Sequence, residues 1–163
     1  MTIVEKSWFN AIWFQITWFS CVLGRDDWLL LTLALMAFHY WAVSDLRLEL
    51  RRVLPCLVLG LGVDFLLTLL GVFNFGDQLF PLWMVCLWCV FPTALSRAMA
   101  FLAKSGWRPV VLGAIAPLNY LAGQKFGAVT LPLGEVNTMI LLVPLWMVML
   151  PVMVRFSQYQ SQS

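Results

Sequence analysis

Residues 53–73, VLPCLVLGLGVDFLLTLLGVF, decide the fold. At 1.5 Å of rise per residue, about 20 apolar residues cross a bilayer core, and this run has that length. Its one charged residue, Asp64, sits near the middle. A carboxylate at that depth costs about 2.5–3.5 kcal/mol on insertion scales, so it is expected to face a bundle interior and mark a site. Asp64 is read as the only carboxylate inside a long apolar run.

Five further runs resemble this one: residues 8–24, 28–43, 79–102, 110–131 and 137–154. Of the 163 residues, 62% are hydrophobic and only 11% charged, against about 25% charged in an ordinary soluble domain. The expected fold is therefore all-α: a polytopic membrane protein, one bundle of six transmembrane helices over residues 1–156, with a polar cytoplasmic tail at 157–163. Eight of the ten Lys and Arg residues fall on the side that also holds both termini. The positive-inside rule places that side in the cytoplasm. A net charge of +2 without a basic cluster excludes a nucleic-acid partner.

Helical spacing sorts the polar residues within these runs. Gly60, Asp64, Thr68 and Gly71 form one small-and-polar stripe, and Ala116, Asn119, Gly123 and Gly127 form another. Pro117 removes a helical hydrogen bond near Gly113, which predicts a break in the fifth span. Counted from their cytoplasmic ends, Asp64 and Asn119 lie about 16 Å and about 14 Å deep, so the two could meet. Asn10 and Gln15 add polar groups on the first span. Trp13, Trp88 and Trp146 lie deep enough to need partners for their indole N–H groups. No Lys or Arg is expected at the depth of Asp64, so a neutral acid held by an amide or indole is the structural expectation. His39 reads as interfacial, and Arg97 as an interface anchor able to receive an anionic headgroup.

Catalytic patterns are sparse. The chain has no H-E-x-x-H, Walker, G-x-S-x-G or G-x-G-x-x-G motif in a suitable context, which argues against a conventional hydrolase or ATPase. Cys21, Cys56, Cys86 and Cys89 lie in apolar runs and read as packing residues. No metal site and no cofactor are expected.

The order of several short motifs resembles a small bacterial inner-membrane family, domain of unknown function 2878. The resemblance rests on Asn10 with Phe14-Gln15, Trp18 and Cys21-Val22-Leu23-Gly24. It continues through Gly62-Val63-Asp64, Pro81-Leu82-Trp83, Leu87-Trp88, Phe91, Thr93 and Leu95. The densest part is Gly113, Pro117-Leu118, Tyr120-Leu121-Ala122-Gly123 and Gly127-Ala128-Val129, followed by Trp146. Asn119 stands where the family pattern implies a small hydroxyl residue. The resemblance implies a bacterial inner-membrane location and, through genes often adjacent in relatives, a link to fatty-acid or phospholipid modification.

The leading expectation is a component of membrane-lipid or fatty-acid modification with an intramembrane polar cavity and no catalytic centre of its own. Membrane lipids are its expected partners, with another membrane protein or a lipid-modifying enzyme beside them. Its candidate ligand-binding residues are Asp64, Asn119, Tyr120, Asn10, Gln15, Thr68, Arg97 and Trp88. The alternatives are a substrate-binding membrane subunit of a transporter and a non-catalytic assembly partner.

Overall fold

The computed structural model describes residues 1–158, and it is all-α. A 3₁₀ turn at Ile3–Glu5 leads into α1 (Ser7–Phe19), which continues as a π turn, Ser20–Gly24. Then come α2 (Leu29–Ala42), α3 (Leu46–Leu69) and α4 (Leu82–Ser96). A 3₁₀ turn at Ala100–Lys104 precedes α5 (Trp107–Ile115), α6 (Leu118–Lys125) and α7 (Glu135–Ser157). With α1 joined to its π turn, and α5 to α6, six rods occupy the six apolar runs.

The ends of α3 follow local chemistry. Asp45 caps it, its carboxylate accepting the Leu48 N–H at 2.9 Å. The helix therefore starts at Leu46, and residues 46–52, expected in a connection, are helical. Its buried face then runs Glu49, Val53, Cys56, Gly60, Asp64 and Leu67 at spacings of three and four. Asp64 is thus not the only carboxylate on a buried face; Glu49 is the second. At the far end Gly71 has φ +73°, where the Val72 and Gly71 amides fold back onto the carbonyls of Leu67 and Thr68. This closes the helix as a Schellman motif. Gly71 lies beyond the last helical turn and is exposed, so the inward stripe ends at Leu67.

The break expected at Pro117 is present. The Asn119 and Tyr120 amides bond the carbonyls of Ala116 and Pro117, three residues back and not four. The run 79–102, in contrast, is not one helix. Pro81, itself extended, caps the start of α4 at Leu82, and the helix ends at Ser96 before Arg97.

Helix α4 is the hub, with α1, α2, α3 and α7 all packed on it. The closest helix pair is α5 with α7. A Cβ on Gly113 would lie 2.4 Å from the Trp146 carbonyl oxygen, so only glycine allows this approach. At the opposite end from the termini, short connections lace together. Asn74 bridges Thr130, Arg25 donates to the Gly127 carbonyl at 2.9 Å, and Gln78 donates to Asp26 at 2.7 Å.

The distribution of polarity is inverted relative to a water-soluble bundle. Leu30 is 84% exposed and Trp41 83%, and Val58, Val136, Ile140 and Val148 also face outward. His39, Glu49, Asp64, Thr93 and Arg97 are buried. Two helices, α3 and α7, are each long and apolar enough to cross a membrane, while α2 and α4 are apolar but shorter. Ser157, assigned from sequence to the polar tail, is instead the last residue of α7; it is buried and bonded to the Val154 carbonyl. Gln158 donates to the Leu95 carbonyl at 3.2 Å. Residues 159–163 of that tail lie outside the described residues.

Candidate functional site

Asp64 is fully buried, and each of its carboxyl oxygens accepts a bond from a neutral donor. Trp88 Nε1 on α4 donates at 2.8 Å, and the Tyr120 hydroxyl on α6 donates at 2.8 Å. No cation takes part. The expected indole partner is therefore present, joined by a phenol. Gly60, one turn before Asp64, makes room for the first of these bonds. A Cβ there would lie 2.2 Å from the Trp88 ring.

Aromatic stacking holds the two donors in place. Trp88 stacks on Trp146 with centroids 6.0 Å apart and planes at 18°, and Tyr120 stacks on Phe73 at 4.8 Å and 13°. The Trp146 edge also meets Tyr120, at 6.2 Å. The Trp146 Nε1 faces that phenol but is buried without a hydrogen bond of normal geometry.

In front of this group lies a half-open cavity of about 270 Å³. Its floor is α4, through Trp83, Leu87, Trp88 and Phe91. One wall is α1, with Phe14, Gln15 and Trp18, and the other is α5–α6, with Ala116, Asn119 and Tyr120. The walls α1 and α6 do not pack closely on each other, which leaves a gap over α4. Gln15 and Asn119, both exposed, stand at its mouth.

Five sequence-derived candidates thus share one cavity: Asp64, Trp88, Tyr120, Gln15 and Asn119. Three do not. Thr68 gives its hydroxyl to the Asp64 backbone carbonyl at 2.8 Å, a turn-to-turn bond within α3. Asn10 is buried elsewhere, against Thr93 at 3.4 Å, with its own Oδ1 unpartnered. Arg97 belongs to a different cluster. The contact of Asn119 with Asp64 that their similar depth allowed does not form either. The Asn119 side chain caps the Ala116 carbonyl at 3.0 Å, one of the groups loosened by the Pro117 break, and its residue is exposed.

The second cluster was missed at the sequence level. Arg97 forks onto Glu49, Nη1 to Oε1 at 2.8 Å and Nη2 to Oε2 at 2.7 Å, and His39 Nε2 meets the same Oε1 at 2.9 Å. His39 stacks on Trp13 at 4.5 Å, and its Nδ1 is buried without a partner. Trp13 in turn donates to the Leu35 carbonyl at 3.1 Å. The guanidinium is buried and its fork is filled, so Arg97 is not available to a lipid phosphate. The missed signal was the Asp45 cap followed by apolar and small residues at 53, 56 and 60, in register with Glu49.

Among the described residues, no three His, Cys, Asp or Glu side chains converge as a metal site, and all four cysteines are free. The sequence pattern of the family described as Protein of unknown function (DUF2878) matches residues 7–152. The chain belongs to that family. The match takes in every helix that lines the cavity, together with the Glu49–Arg97–His39 cluster. No curated protein and no solved structure matches the chain. For this member of DUF2878, the site itself therefore has to carry the functional argument.

Proposed function

We propose that this protein is a multi-pass membrane protein of the bacterial inner membrane that binds a lipid within its bundle and serves membrane-lipid or fatty-acid modification. In this reading the six rods are six spans, with both termini cytoplasmic. The inverted polarity supports the first part. Apolar side chains cover the outside, and buried polar groups pair with each other, as a lipid solvent demands. The distribution of Lys and Arg supports the orientation.

The observation that carries the lipid reading is the cavity over α4, open between α1 and α5–α6. An opening between two spans leads into the bilayer, not into water. At about 270 Å³ the cavity is just below the usual range of about 300–1,000 Å³ for small-molecule sites, so it holds part of an amphiphile and leaves the rest outside. Its aromatic lining offers apolar contact to such a chain, and in this reading the chemistry belongs to a partner enzyme.

Topology reporters at residues 26, 76 and 133 should locate outside the cytoplasm, and reporters at both termini inside. A deletion strain should show an altered lipid profile; an unchanged profile across growth states would remove the lipid role. Native mass spectrometry of the purified protein should retain an acyl or prenyl lipid. Retention of a water-soluble, vitamin-sized molecule would instead favour a transporter subunit.

A further inference from the structure

The cavity has hydrogen-bond donors that nothing in the protein uses. Trp88 spends its N–H on Asp64, but Trp18 and Trp83 donate to no residue among those described. At the mouth, Gln15 makes no side-chain bond, and Asn119 satisfies only one N–H, on its own helix.

Charge, in contrast, is out of reach. No Lys, Arg or His lines the cavity, so an anionic headgroup has no counter-ion there. The one carboxyl, Asp64, is fully buried with both oxygens already accepting, and an ammonium group would meet the N–H donors first. The indole N–H groups only donate and the two mouth amides donate as well as accept, so without accessible charge the set suits an uncharged oxygen able to accept.

Depth narrows the class further. Gln15 lies about 12 Å along the first rod from Ser7, and Asn119 about 18 Å along its rod from Trp107. In a hydrocarbon core of about 30 Å, both are near the middle, where phospholipid headgroups do not reach. An amide with free polar atoms facing hydrocarbon costs several kcal/mol, so Gln15 and the half-satisfied Asn119 at one mouth call for a polar group arriving from the lipid side.

We propose that this cavity recognises an uncharged hydrogen-bond acceptor, a carbonyl, hydroxyl or ether oxygen, carried deep in the bilayer by an otherwise apolar molecule. This rests on the lipid-binding reading above and adds its selectivity. The acceptor enters sideways between Gln15 and Asn119 and lies over the α4 aromatics, while its apolar chain stays in the bilayer. Two sources share this chemistry: a phospholipid acyl chain bearing a mid-chain oxygen, and the ring of a prenyl quinone.

The test is native mass spectrometry of the full chain in micelles with three added probes. These are a saturated phosphatidylethanolamine, the same lipid with a 12-hydroxystearoyl chain, and decyl-ubiquinone. One oxygenated probe should be retained about tenfold more than the saturated lipid, the effect of about one net hydrogen bond. Which of the two prevails identifies the source. The Gln15→Leu/Asn119→Leu double variant, altered only at exposed positions, should erase that preference while keeping its helical circular dichroism.

Equal retention of the saturated and oxygenated probes would overturn the acceptor selectivity and leave lipid binding standing. A preference that survives in the double variant would overturn the role of the two amides, and the proposal with it. Retention of no probe would overturn lipid binding itself.

Discussion

Glu49 and Asp64 share one face of α3, about 22 Å apart along its axis, yet they are satisfied in opposite ways. Glu49, near the helix start, is matched by the charge of a bidentate guanidinium, with an imidazole hydrogen-bonded beside it. Asp64, in the middle, is matched only by neutral donors, an indole and a phenol. A bidentate ion pair fixes two elements tightly and leaves nothing for a ligand. A carboxyl held by two aromatic donors instead orients the rings that wall a cavity. Asp64 therefore positions the aromatics that wall the cavity.

The largest test of this contrast is Arg97→Met. It strands a buried carboxylate and should cost about 3–5 kcal/mol in thermal unfolding, while Glu49→Leu/Arg97→Met should recover most of the loss. Next come Asp64→Asn and Gly60→Ala. The first turns an amide donor toward one of two donors already in place, at about 1–3 kcal/mol. The second pushes the Trp88 ring aside, also at about 1–3 kcal/mol. Because both break one contact, their combination should cost clearly less than the sum and shift the tryptophan emission. If Asp64→Asn costs as much as Arg97→Met, the two carboxyls are not different in kind. Trp88→Phe, removing one donor from Asp64 while keeping an aromatic ring, should cost about 0.5–1.5 kcal/mol.

The smallest effect concerns Glu5, outside the spans. Burial pushes its carboxyl up, but bonds from the Ser44 hydroxyl and from the Ser44 and Thr2 backbone, with the charge of Arg97, outweigh that and bring it from 4.5 down to about 2. A lowered folded value stabilises above the unfolded value. The contribution is complete above about pH 4.5 and fades as pH falls toward about 2. Ser44→Ala should flatten the melting temperature across that window, and a profile unchanged by Ser44→Ala would discount this contact.

The helical runs, the Pro117 break and the inward direction of Asp64 were legible because apolar length, a missing N–H and i, i+4 spacing are local properties. Trp88 and Tyr120 were both named as candidates, though nothing local could show that they meet on one carboxyl. That meeting needs the approach of α4 and α6, which Gly60 and the Pro117 break permit only in three dimensions. Glu49 was missed for a simpler reason. Its neighbours Arg47, Arg51 and Arg52 made the segment look like a loop, although the Asp45 cap and the spacing to Val53 and Cys56 mark a helix already under way. Arg97 was misjudged because its partner had not been found.

The partners of α3 also carry an order in time. Arg97 lies 48 residues after Glu49, and Trp88 and Tyr120 lie 24 and 56 residues after Asp64. Only His39 precedes α3, by 10 residues from Glu49. At about 5–20 residues per second, the ribosome delivers Arg97 about 2–10 s after Glu49 and Tyr120 about 3–11 s after Asp64. Until then Glu49 has only His39, and Asp64 has no side-chain partner before Trp88 is made. The order of the chain itself thus delays completion of the polar contacts of α3 until α4 and α6 have been made.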